Sequence, residues 1–334
     1  MLTPGISVVL CCYNSAEVIQ ASIRSLSAQD IPEGMGYELI LVDNNCTDDS
    51  ISLAQSAWKD TPFPLIIVKE TQPGLIYARK AGVLKARYSI LLFVDDDNIL
   101  ENDWVKRLVE LYDKWPEVGG IGGYNIPLFE GELPSWFTKY SGMYACTPPH
   151  ENPSVSAYKL TLFGAGLSLR TDIVRSIFES DLPLFLVGRT NHTLKRGDDS
   201  EICLRARLMG WKLWYENSLK LKHILLKNRV NWEYALRARN GGGHADIILK
   251  IYYDLLEDNI PLKYNQLSQY IASQWEEFWK LRIKYNDLIN LPKEGEHAAM
   301  RYHYLTGLTE GFWEWEKNEY NTMRERIIRF FSKK

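Results

Sequence analysis

Three short apolar runs, Ile6 to Cys12, Glu38 to Val42 and Ser89 to Val94, each end in polar residues, and the stretches between them carry apolar residues at helical spacing. Such alternation predicts parallel strands joined by crossover helices. In Ala16 to Ala28, Val18, Ile19, Ile23 and Leu26 fall on one helical face, and Asp48 to Trp58 opens with Asp and Ser as capping candidates. A further strand over Leu65 to Val68 ends near the turn at Pro73-Gly74. The first hundred residues therefore read as a nucleotide-binding α/β half, in which ligands gather at the carboxyl ends of the strands.

From Gly119 to His150 the chain is rich in Gly, Pro and aromatic residues. This predicts a long irregular segment over a site, an acceptor loop, in preference to regular structure. Next come Gly164 to Arg170, a helix start at Thr171-Asp172, a helix from Asp199 to Met209 closed by Gly210, and a strand over Trp211 to Tyr215. Beyond Leu226 the pattern becomes helical: Ile271, Trp275, Phe278, Trp279, Tyr285 and Leu288 recur at helical intervals, as do residues from Trp313 to Phe331. The predicted organisation is an α/β domain over 1–225, divided into a nucleotide half (1–98) and an acceptor half (99–225), with a helical appendage over 226–334.

Composition narrows the partners. With 42 acidic against 39 basic side chains in 334 residues, no global positive field exists to hold nucleic acid. The five cysteines are odd in number and lack repeated C-x-x-C spacing, which fits reduced thiols in a cytoplasmic protein. Ile6 to Cys12 has no basic residues before it and reads as a strand, not a signal peptide. No stretch approaches the roughly 20 apolar residues of a spanning helix. The final RERIIRFFSKK mixes basic and apolar residues. It suits peripheral contact with an anionic membrane face, on the inner side of the plasma membrane, while intramolecular packing or a homodimer contact is the favoured alternative.

The most pointed chemistry is Val94-Asp95-Asp96-Asp97-Asn98, three carboxylates directly after an apolar strand. Crowded carboxylates need a cation or donors to compensate them, and hard oxygen ligands suit Mg²⁺ or Mn²⁺ shared with substrate phosphates. A solvated acidic loop is the other reading of the triplet alone.

At this point the chain resembles glycosyltransferase family 2, whose catalytic domain has the GT-A fold. Four blocks carry the resemblance in order: SVVLCCYN, ELILVDNNCTDDS, GLIYARKAG and ILLFVDDDN. Cys11 stands where many members have proline, and Lys80 replaces the usual asparagine after Arg79. The resemblance implies that Tyr13, Asn14, Asp43, Arg79, Asp95 and the variable middle Asp96 attend the donor nucleotide, and that Asp97 binds the metal. Downstream, GDDSEICLR resembles the family's G-E-D block, which makes Asp199 the general base, with Asp198 beside it in a lesser, helix-capping role. His223, 24 residues further on, would complete the metal site.

Gly164, Ala165 and Gly166 leave little bulk where backbone could approach an acceptor sugar, though close helix–strand packing explains them equally well. In Asn228 to Gly243, three arginines and a triple glycine could form a diphosphate clamp with a hinge. A solvated helix face with a glycine cap is the favoured reading there. The resemblance implies an inverting transfer from a nucleotide sugar, a UDP-sugar by default, to a saccharide or lipid-linked saccharide, with Mn²⁺ or Mg²⁺ as cofactor. Nucleotidyl transfer to a sugar phosphate and a non-catalytic nucleotide- or sugar-binding module are the rivals.

Overall fold

The computed structural model describes residues 2–148, 156–188, 194–286 and 293–332. His150, Leu288 and the final Lys333-Lys334 of the segments above lie outside them. The amino-terminal half alternates as expected: β1 (Thr3–Cys12), α1 (Ile19–Ser27), β2 (Gly36–Asp43), α2 (Ser50–Trp58), β3 (Leu65–Lys69), α3 (Leu75–Lys85), β4 (Tyr88–Asp95). Strands β1, β2 and β4 are buried along nearly their whole length, because helices cover both faces of a parallel sheet. In register, Cys12 pairs with Asp43 and Cys11 with Asp95. All three strands run the same way, so Tyr13, Asp43 and the Asp95–Asp97 triplet emerge along one edge.

The chain continues through β5 (Asn98–Leu100), α4 (Trp104–Lys114), β6 (Val118–Phe129), α5 (Phe137–Tyr140), β7 (Ala157–Lys159), β8 (Ser168–Arg170), α6 (Thr171–Phe178), α7 (Asp198–Leu208) and β9 (Lys212–Leu225). Among the described residues these complete one nine-stranded sheet in the order β3-β2-β1-β4-β8-β6-β9-β5, with β7 on β9. β8 runs antiparallel between β4 and β6, and β9 lies parallel to β6. This is the mixed, mostly parallel sheet flanked by helices that the sequence predicts.

The acceptor loop predicted from Gly119 is a correction: Val118–Phe129 forms a 12-residue strand in the sheet interior. Its glycines are packing residues. A Cβ on Gly123 would collide with the Leu219 carbonyl and the Trp104 ring, so glycine is what lets β9 close on β6. Irregular backbone begins only after Phe129. The strand at Trp211 also proves longer than expected, running to Leu225 and carrying His223 within it.

Helices α8 (Trp232–Leu256), α9 (Tyr264–Ser273), α10 (Trp275–Asn286), α11 (His297–Trp313) and α12 (Lys317–Phe331) make up the carboxyl-terminal region. The triple glycine is neither hinge nor cap, because it lies inside the 25-residue α8. A Cβ on Gly243 would overlap the Tyr304 carbonyl and one on Gly307 the Asn240 carbonyl, so these glycines let α8 and α11 cross almost backbone to backbone. Nor do these helices hang free of the sheet domain. Tyr252 of α8 donates to Glu201 of α7 at 2.8 Å, and Arg205 bonds both groups.

The basic-apolar stretch of α12 turns inward, with Met323 and Ile327 buried and Phe330 and Phe331 packed on the same core. Packing of that stripe within the chain is the favoured of the two sequence readings. Among the described residues no helix is long and apolar enough to cross a membrane.

Candidate active site

Asp97 and His223 meet because of strand register. Asn98 pairs with His223 across β5 and β9, and the Ile224 amide donates to the Asp97 carbonyl at 2.8 Å. The His223 Nε2 thus stands 3.2 Å from Asp97 Oδ1, with both side chains buried. Asn98, fully buried, donates to Asp97 Oδ1 at 3.1 Å and accepts from the Asp95 amide at 3.1 Å, pinning the acidic turn. Asn98 belongs to no site assignment made from the sequence, and its place between the three aspartates and Ile99-Leu100 is the available signal.

Arg229 donates to Asp97 Oδ2 at 3.1 Å. Of the three arginines considered for a clamp, it alone reaches this carboxylate. Arg237 pairs with Glu233 on the helix surface, and Arg239 stacks on Tyr304 at 4.4 Å. Burial alone would lower the His223 pKa, but the Asp97 carboxylate more than offsets it and holds the imidazole well above its ordinary value. Asp96 accepts from the Ser15 hydroxyl, and burial together with Asp97 pushes its carboxyl up to about 7.

Asp97 and His223 offer one hard oxygen and one imidazole nitrogen at a single point. Among the described residues no three His, Cys, Asp or Glu side chains converge on one centre. Two protein ligands with room for substrate oxygens and water match the way Mg²⁺ and Mn²⁺ are held beside phosphates, so the pair fits such an ion.

Around this point lies a cavity of about 400 Å³, walled by Tyr13, Ser15, Asn44, Arg79, the three aspartates, Gly164, Ala165, Asp198, Asp199, His223 and Arg229. Tyr13 is 42% exposed at its mouth, as a ring free to stack would be. Asn14 and Asp43 sit one layer back, holding loops. The Thr47 amide donates to Asn14 Oδ1 and the Cys46 amide to Asp43 Oδ1, both at 2.8 Å. Asn44 supplies the wall at that strand end.

Asp199 stands in the first turn of α7 and takes hydrogen bonds from the Gly164 amide at 2.9 Å and the Ser200 amide at 2.8 Å. The N-cap position of α7 belongs to Gly197, and the Asp198 side chain accepts from Arg79 at 2.5 Å. Burial raises the Asp198 carboxyl to about 6 even though Arg79 pulls it down. Gly166, the last of the three small residues, has φ +76° and faces Leu221 and Trp104 beneath the site, so packing is its role.

A second cavity of about 780 Å³ adjoins the first and shares Asp199, Phe163, Ala165, Arg196 and Gly197 with it. Its outer wall comes from β7, β9 and α8, through Tyr158, Lys159, Tyr215, Arg239, Asp246 and Tyr253. Arg196 belongs to no assignment made from the sequence, and the α8 wall depends on how residues 226–334 fold back onto the sheet domain.

Residues 7–165 match the family described as Glycosyl transferase family 2. The chain is 21% identical over 262 residues to a glucosyl-dolichyl phosphate glucuronosyltransferase of Haloferax volcanii, covering 76% of this chain and 80% of that one. It is 26% identical over 273 residues to a poly-β-1,6-N-acetyl-D-glucosamine synthase of Staphylococcus epidermidis, covering 80% of this chain but 61% of the synthase. In fold it is similar to S. aureus TarS, with a TM-score of 0.50 and 14% identity over 96% of this chain and 55% of TarS. The ordered motifs, the GT-A sheet and these likenesses together identify residues 7–165 as a family 2 glycosyltransferase domain.

Proposed function

We propose that the chain transfers a sugar from a nucleotide sugar, a UDP-sugar in the first instance, to a hydroxyl of a saccharide or lipid-linked saccharide, with inversion at the anomeric carbon. The observation that carries this reading is that Asp199 belongs to the walls of both cavities. A base must reach the acceptor hydroxyl while the donor's anomeric carbon lies within attack distance, and a shared wall residue meets both needs.

The donor nucleotide lies in the smaller cavity, its base against Tyr13 and Asn44 and its diphosphate towards Asp97, His223 and Arg229. The acceptor occupies the larger cavity, where Tyr158, Tyr215 and Tyr253 give aromatic surface for sugar rings. Asp199 Oδ2, oriented by the Gly164 amide, takes the acceptor proton as the new bond forms. Asp97 and His223 hold the divalent ion, Mn²⁺ or Mg²⁺, which when bound neutralises charge on the departing diphosphate. Arg229 stands ready to share that charge.

The archaeal and staphylococcal relatives are named for transfer to a lipid-linked sugar and for polymer synthesis. This supports an acceptor of the same broad kind. No observation favours nucleotidyl transfer, since the loop Tyr13-Asn14-Ser15 after β1 has no glycine-rich phosphate cradle. Screening a panel of nucleotide sugars for Mn²⁺-dependent nucleotide release tests the reading. One donor class should release nucleotide above background, faster with a saccharide acceptor, and uniform silence across the panel would overturn it.

A further inference from the structure

The geometry points to Arg79 as a positioning residue that fixes the base Asp199 against the donor strand, and not as a ligand of the nucleotide. This rests on the transfer reading above and adds to it a residue whose contacts are with the protein. Its guanidinium is 3% exposed. Nη1 donates to Asp198 at 2.5 Å, Nη2 stands 4.0 Å from Asp95, and the plane lies over the Phe93 ring at 5.1 Å. One cation from α3 therefore ties the end of β4 to the first turn of α7.

Gly164 makes this possible. A Cβ there would come within 2.5 Å of Arg79 Nη2 and 3.4 Å of the Asp199 Cβ. The same glycine donates its amide to Asp199 Oδ2. The glycine is thus the gap through which the guanidinium reaches the carboxylates, and Arg79, Gly164, Asp198 and Asp199 form one assembly drawn from three separate sequence blocks.

The electrostatic consequence follows from the count of charges. Asp95, Asp198 and Asp199 all act on Arg79, and burial of Asp198 already favours its neutral form. Asp199 faces Arg79 from α3, Asp198 and Cys203 from its own helix, and Tyr253 from α8. Arg79 is the cation in that set. Without it, neighbouring carboxylates repel one another in a partly dry site, and the first turn of α7 loses the contact that holds Asp199 towards the donor strand.

The test uses the full chain with Arg79→Met, Arg79→Lys and Gly164→Ala, read by calorimetry with UDP and by steady-state kinetics. Arg79→Met should lower kcat by about 100-fold, the lower range for loss of a general base, with UDP affinity and donor KM within about twofold of wild type. Arg79→Lys should restore part of kcat, and Gly164→Ala should copy the Arg79→Met pattern by pushing the guanidinium aside.

A tenfold or greater loss of UDP affinity with kcat unchanged would make Arg79 a donor ligand and overturn the inference. A kcat unchanged by Arg79→Met would overturn it as well. If wild type transferred no sugar at all, the functional reading would fail on its own, while calorimetry with UDP would still decide whether Arg79 is a donor ligand. A thermal melt of each variant separates misfolding from these effects, and Arg79→Lys keeps the charge if Arg79→Met fails to fold.

Discussion

His223 Nε2 stands 3.2 Å from Asp97 Oδ1, although 125 residues of chain separate them. The backbone pair Asn98–His223 imposes this meeting, so the two side chains proposed to hold the ion are brought together by the sheet itself. Asp97→Ala should therefore abolish the Mn²⁺ dependence of UDP binding and lower transfer by at least about 100-fold, equivalent to roughly 3 kcal/mol of lost charge stabilisation. Calorimetry of UDP with and without Mn²⁺ reads the first effect. Equal UDP affinity in wild type with and without the metal would show that no ion bridges protein and diphosphate.

The same pair makes metal binding depend on pH. Asp97 holds His223 protonated well above the ordinary histidine range, against the opposing effect of burial. A metal ligand must be the neutral imidazole, so binding releases a proton. In the ion-free protein, the His223–Asp97 attraction stabilises the fold fully below the unfolded histidine pKa and is lost as pH rises through the higher folded value. Mn²⁺ affinity should accordingly climb with pH across that window, by up to about tenfold per unit. Isothermal titrations in two buffers of different ionisation heat would count the proton, and a count of zero would contradict a role for His223 as ligand.

Asp199 takes the Gly164 amide on Oδ2 and the Ser200 amide on Oδ1, and an asparagine turned with its carbonyl oxygen to Gly164 keeps the bond between elements and loses only the contact to its neighbour in the helix. Asp199→Asn should thus fold normally and bind UDP as tightly as wild type, while kcat falls about 10²–10⁴-fold. Normal turnover in this variant would remove Asp199 as the base.

Much of this arrangement is written in local sequence. Strands β1, β2 and β4 are uninterrupted apolar runs, and their polar ends mark the ligand edge directly. Asp97 and Asp199 could be singled out because their motif blocks are short and ordered. Glycine was the main source of error. Gly119 to Gly123 suggest a loop and Gly241 to Gly243 a helix cap or a hinge, whereas the deciding fact is a long-range approach, Leu219 in one case and α11 in the other. Local propensity cannot report a partner 60 or 100 residues away. Asp198 was misread for a related reason: a helix-start aspartate suggests a cap until Arg79 is seen beneath it.

The helix crossing gives a prediction in which neighbouring glycines should behave oppositely. Gly242 and Gly243 follow one another in α8, with the same helical backbone and the same lack of a side chain. A Cβ on Gly242 meets nothing within 4 Å, so Gly242→Ala should raise stability by about 0.5–1 kcal/mol through helix propensity alone. On Gly243 the same methyl would overlap the Tyr304 carbonyl and come within 2.9 Å of the Leu308 amide, both backbone groups of α11 that cannot rotate away. The helices must part, at a cost of about 1–3 kcal/mol from overpacking that exceeds the propensity gain. For a chain of 334 residues a shift of 1 kcal/mol moves the melting temperature by roughly 1–2 °C, within reach of calorimetry. Gly307→Ala should resemble Gly243→Ala, because its methyl would overlap the Asn240 carbonyl from the other side of the same crossing. Equal melting temperatures for the Gly242 and Gly243 variants would mean that α8 and α11 lie further apart than this packing requires.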